Sequence, residues 1–135
     1  MKSLTDKQWA YVTLRLTLGV NMLMHGLTRV IAGPVAFADS TAAEFEKGVL
    51  PVGLARVFLL AIPFIELVIG ALMVLGLQMR LTLIAGGLLI TMLTFGVTAN
   101  QNWSAAGIQV SYAIAFFILL YTRDQNALCL DKKSA

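Results

Sequence analysis

Charge is what this chain has least of. Asp, Glu, Lys and Arg make up only 13% of its 135 residues, against 59% hydrophobic ones, whereas soluble domains average about 25% charged. A soluble globular protein is excluded, and the class that remains is a small polytopic helical membrane protein. The net charge of +3 is too small, and too concentrated in the terminal segments, for a nucleic-acid partner. It reads as topology information. Cysteine is nearly absent. With Cys129 alone there is no intramolecular disulfide and no C-x-x-C pair, which excludes a thiol oxidase working with its own cysteines. Histidine is as scarce. A single His25 rules out bis-histidine haem ligation within one chain, and no methionine is spaced persuasively as its axial companion. Neither an intrinsic cofactor nor a metal site is expected. Nucleophile–base–acid sets, phosphate-binding loops and dinucleotide fingerprints are missing as well. No catalytic residue can be named, and any redox chemistry needs an imported cofactor or a partner subunit.

What the chain does have is apolar length. Four stretches, 9–31, 54–77, 81–99 and 103–122, each supply about the twenty residues that cross a hydrocarbon core of about 30 Å. The expected fold is all-α: a single domain over 1–135, four transmembrane helices in a bundle, in a lipid bilayer. Ala36-Phe37-Ala38 has the form of a leader-cleavage site. The run before it is too long and too broken by polar residues for a leader, so 9–31 is read as a first span. Gly33-Pro34 ends that span, because proline cannot continue a helix. Thr41 and Glu44 have capping-box spacing and Gly48 follows as a stop. They predict a short surface helix over 42–47 in the first extracytoplasmic loop, anchored by Phe37 and Phe45. Gly87, Thr91, Thr94 and Thr98 share one helical face and predict close packing there. Trp9, Trp103 and Tyr121 fall at span ends, where an interfacial aromatic belt belongs. Lys2, Lys7, Arg80, Arg123, Lys132 and Lys133 flank the spans on one side only, which places both N and C termini in the cytoplasm.

Polar groups inside the spans carry the functional signal, since ionisable residues in a membrane are expensive and usually face protein, cavity or ligand. At 100° per residue, Arg15, Asn21, His25 and Arg29 share an arc of about 160° on the first span, and Arg56, Pro63, Glu66 and Gly70 one of about 80° on the second. The two stripes are expected to face each other. Counted from the cytoplasmic span ends, Arg15 lies about 9 Å deep and Glu66 about 16 Å, so an Arg15–Glu66 ion pair is expected. Arg29 and Arg56 stand near the outer ends, where they can snorkel. Asn21, Glu66 and Tyr112 come out at similar depths, with Gln109 one turn further outward. The candidate ligand pocket is therefore Arg15, Asn21, His25, Glu66 and Tyr112. A purely structural ion pair and a satisfied core histidine are the plainer alternatives. Cys129 is expected to be an unremarked tail residue.

Several runs have a familiar order. Leu14-Arg15-Leu16-Thr17-Leu18-Gly19, then His25-Gly26 and Arg29, resembles the first span of the DoxX family. Leu50-Pro51-Val52-Gly53-Leu54-Ala55, then Glu66, Gly70 and Leu75-Gly76-Leu77 before Arg80, resembles its second span and turn. Leu128-Cys129-Leu130-Asp131 resembles its C-terminal ending, with cysteine in place of serine. The stretch Thr122-Arg123-Asp124-Gln125-Asn126 departs from the glycine-rich approach frequent in that family. The resemblance implies a four-helix protein of the bacterial or archaeal cytoplasmic membrane, tied to redox systems. Members include the membrane subunit of a thiosulfate:quinone oxidoreductase and components associated with oxidative-stress enzymes. The implied role is a quinone-facing or accessory subunit, working in a larger membrane complex or a homo-oligomer. The alternative is a non-catalytic structural or assembly subunit; a small-molecule transporter is weaker, for want of inverted repeats or broken helix pairs.

Overall fold

The structure, a computed structural model, describes residues 3–131. Five helices follow one another: α1 (Asp6–Ala32), α2 (Pro34–Ala42), α3 (Val52–Leu75), α4 (Met79–Ala99) and α5 (Trp103–Tyr121), with 3₁₀ turns at Ala43–Phe45 and Arg123–Gln125. Among the described residues there is no strand. Three helices, α3, α4 and α5, are long and apolar enough to cross a membrane. The fourth long helix, α1, has 27 residues, about 40 Å at 1.5 Å per residue. Asp6, Lys7, Arg15, His25 and Arg29 make it the most polar of the four.

Glycines set how α1 and α3 meet. A Cβ on Gly19 would lie 2.9 Å from Cβ of Met73, one on Gly26 2.7 Å from Cα of Leu67, and one on Gly70 2.5 Å from Cα of Leu23. Small residues are what allow such backbone approach between helices. Position numbers rise on one helix as they fall on the other, so the pair is antiparallel. α4 and α5 form the second tight pair, with Gly86 against the Phe116 ring. The predicted packing face of α4 is thus displaced by one residue. Gly87 has nothing within 4 Å of its Cβ position, and Thr91, Thr94 and Thr98 turn their hydroxyls onto carbonyls of their own helix, at 3.0, 2.8 and 2.8 Å.

The bundle has two distinct ends. At the loop end, Pro34 occupies the first turn of α2, where its missing N–H costs nothing. One proline therefore stops α1 and starts the next helix. The short helix predicted over 42–47 lies instead at Pro34–Ala42, with Ala38 and Ala42 buried. The Thr41/Glu44 spacing forms no cap, because Thr41 falls inside the last turn of α2 and the 3₁₀ turn after it has no side-chain cap. Arg56 does reach the surface, where its Nε donates to Oδ1 of Asp39 at 2.5 Å between two half-exposed side chains.

At the tail end, α3 closes on Gly76, whose φ of +67° lies in the left-handed region that glycine adopts without a Cβ penalty. The chain after α5 folds back over this turn. Leu130 and Asp131 donate backbone N–H bonds to the carbonyls of Leu75 and Gly76, at 3.1 and 3.3 Å. The Asp131 carboxylate accepts from the amides of Gln78 and Met79, at 2.7 and 3.1 Å. It caps α4, which has no cap from its own N-cap residue, and places negative charge at the positive end of the helix dipole. Cys129 packs its Cβ onto Gly76.

Candidate functional site

The buried charges of α1 answer to different partners from those expected. Nη1 of Arg29 donates to Oε2 of Glu66 in the ion pair that joins α1 to α3. The Glu66 side chain is 4% exposed and that of Arg29 29%. The Arg29 guanidinium also stacks over the Phe37 ring of α2, 4.5 Å from its centroid, a cation–π contact. Arg29 therefore turns inward instead of snorkelling outward. Arg15, 1% exposed, makes no pair with Glu66. Its Nη1 donates to Oδ1 of Asn126 at 2.6 Å and to the Ala127 carbonyl at 3.3 Å, and its Nη2 to the Leu128 carbonyl at 2.9 Å. The expected Arg15–Glu66 pair is replaced by two separate arrangements.

Two physical reasons account for the exchange. Register is the first. The depth count set Trp9 level with Leu77, whereas the glycine contacts put Arg15 level with the Gly76 turn, where a Cβ would meet Nη1 of Arg15 at 2.5 Å. Glu66 then stands about 3 Å along the axis from Arg29 and about 18 Å from Arg15. Direction is the second. A helical side chain leans toward the N-terminus of its own helix. In an antiparallel pair, Arg29 and Glu66 lean toward each other, and Arg15 leans away toward the tail.

Beside this ion pair a cavity of about 710 Å³ opens between α1, α3, α4 and α5, roofed at the loop end by α2 and the turn after it. Its walls are mostly apolar, with Phe37, Phe45, Phe58 and Phe95 among them. Asn21, His25, Arg29, Glu66, Gln109 and Tyr112 supply its interior polar groups. Of the five residues picked from the sequence, Asn21, His25, Glu66 and Tyr112 lie on this cavity and Arg15 does not. The Tyr112 hydroxyl donates to Oδ1 of Asn21 at 3.3 Å, linking α5 to α1. The His25 side chain is exposed on the cavity wall. Among the described residues the ring makes no hydrogen bond; only the His25 backbone carbonyl accepts one, from the Thr28 hydroxyl at 3.3 Å. Gln109 lines the same space with its amide oxygen buried and unpartnered.

Volume and lining are those of a small-molecule site, which runs to about 300–1,000 Å³ with a few placed polar groups on apolar walls. Metal chemistry has no matching donor set, because no group of three or more His, Cys, Asp or Glu among the described residues could hold an ion. Sequence reasoning left out Arg29 and Phe37. The signal that could have found Arg29 was its three-residue offset from Gly26, on the glycine face that meets α3.

Fold and cavity together define a helical multi-pass membrane protein with a mostly apolar pocket that carries a few polar groups inside the bundle. Residues 10–101, more than half of the chain, match the family model DoxX, and the chain belongs to the DoxX family. The matched segment takes in most of α1 and all of α2, α3 and α4; α5 and the tail follow it. No curated protein and no solved structure matches the chain.

Proposed function

We propose that this protein is a quinone-facing subunit of a membrane electron-transfer system. In this reading α1 is the fourth span, both termini lie in the cytoplasm of a bacterial or archaeal cell, and the loop-end cavity takes a quinone-type head group. The observation that carries the reading is the cavity of about 710 Å³, with an arginine, a free histidine and a buried carboxylate on the α1–α3 side of a mostly apolar, aromatic-lined space. Arg29 and His25 supply hydrogen-bond donors to a head-group oxygen, Tyr112 of α5 faces them and bonds Asn21 one turn from His25, and the apolar lining excludes water and holds the isoprenoid chain. A bound quinone supplies two-electron, two-proton chemistry. The chain itself binds and orients it, and Glu66 keeps the Arg29 guanidinium in place. Arg15 has no part in the pocket.

Extraction of protein purified in mild detergent is the test. About one quinone per chain, reduced by His25→Ala, is expected. Absence of quinone, together with unchanged quinone reduction by the intact complex carrying His25→Ala, would contradict the reading.

An assembly subunit is the second reading, and α5 favours it. Trp103, Val110, Ile114 and Phe117 leave an apolar face exposed, which lipid or a partner's helix covers. A stoichiometric large partner in native-lipid pull-downs, with no pocket ligand, would favour that role.

A further inference from the structure

Two carboxylates line the cavity: Glu44, exposed on the turn after α2, and Glu66, buried on α3. Glu66 offers Oε2 to Arg29. Its second oxygen, Oε1, has no hydrogen bond among the described residues and is not sealed off, since it is absent from the fully buried unpartnered atoms. The carboxylate thus opens one oxygen onto the cavity that it lines. The side chain is otherwise more than nine-tenths enclosed. An ionised carboxylate accepts hydrogen bonds and donates none. A bond from a ligand hydroxyl to it is charge-assisted, about twice as strong as a neutral one. A carbonyl in the same place sets its lone pairs against the carboxylate oxygen and leaves that oxygen unpaired.

We infer that the cavity selects the reduced, hydroxylated form of an aromatic head group, a quinol over the corresponding quinone. A hydroxyl does both things the site asks. It donates to Oε1 of Glu66 and accepts from the neighbouring Arg29 guanidinium or the His25 ring, whereas a carbonyl does only the second. Aromatic side chains on several walls, Phe37 and Phe58 among them, suit a planar ring better than an aliphatic alcohol. Phe37 is already held under Arg29, so the ring wall and the hydrogen-bonding groups are positioned together. The inference rests on the quinone-type reading above and sharpens it: the pocket is a site for the product of quinone reduction or the substrate of quinol oxidation.

The test is calorimetric titration of the purified full chain, under anaerobic conditions at neutral pH, with a short-chain benzoquinone and with its chemically reduced quinol. The expected result is a quinol affinity at least tenfold above that of the quinone. Each tenfold of preference raises the midpoint potential of the bound couple by about 30 mV. Glu66→Gln is expected to bring the two affinities within about threefold of each other, because a neutral amide serves either form. If that variant does not fold, the ratio measured on the unaltered protein decides alone. Equal affinities, or a preference for the quinone, would overturn the inference and leave the cavity reading standing. Binding of neither form would overturn both. A long-chain aliphatic alcohol that competes as well as the quinol would also overturn it, by removing the aromatic requirement.

Discussion

Arg15 and Arg29 sit on one helix, nearly four turns apart, and the two ends of the bundle use them in opposite ways. At the tail end every oxygen that Arg15 bonds is neutral and belongs to the returning chain. The guanidinium is sealed at 1% exposure, and its remaining Nε is buried without a partner. At the loop end Arg29 has a carboxylate and an aromatic ring, and keeps N–H groups toward an open cavity. Enclosure separates a clasp from a site. Arg15 holds the tail over the α3–α4 turn, and Arg29 retains hydrogen-bonding capacity for a guest.

Breaking the clasp should have the largest effect on stability. Arg15→Met removes hydrogen bonds to three oxygens of the tail, of which only the Ala127 carbonyl is in a buried contact. A loss of about 3 kcal/mol is expected, at about 1–3 kcal/mol for the buried acceptor and less for the others. Thermal unfolding in detergent measures it. Arg29→Met should cost about 2 kcal/mol, less than the 3–5 typical of a fully buried pair, because the Arg29 side chain is 29% exposed. The double variant Arg29→Met with Glu66→Met should recover most of that loss, since it removes the stranded carboxylate as well; a loss equal to the sum of the two singles would deny the coupling. Asp131→Asn weakens the cap on α4 and should cost about 1 kcal/mol. Added to Arg15→Met it should cost little more, because the tail is then already loose. Tyr112→Phe removes one long neutral bond and should lower stability by only about 0.5–1 kcal/mol.

How much of this was legible in the sequence follows from what each signal measures. Hydropathy locates apolar runs, and 54–77, 81–99 and 103–122 fall within about two residues of Val52–Leu75, Met79–Ala99 and Trp103–Tyr121. Helical angles place Asn21, His25 and Glu66 on facing stripes because they need no neighbour to compute. Pairing Arg15 with Glu66 failed because depth counting needs a register between helices, and that register is set by Gly19, Gly26 and Gly70 in contact. The Thr41/Glu44 spacing misled because a capping box requires Thr41 to sit before a helix, whereas Pro34 had already begun one. The role of Asp131 was out of reach, since its cap joins residues 52 and 53 positions apart.

The division between clasp and site is tested most directly by quinone titration of Arg15→Lys and Arg29→Lys side by side. Lysine keeps the charge and loses the planar fork of donors. The expected result is an affinity at least tenfold weaker for Arg29→Lys, about 1.4 kcal/mol, and one within twofold of the unaltered protein for folded Arg15→Lys. An equal loss in both variants, or a loss in Arg15→Lys alone, would contradict the account.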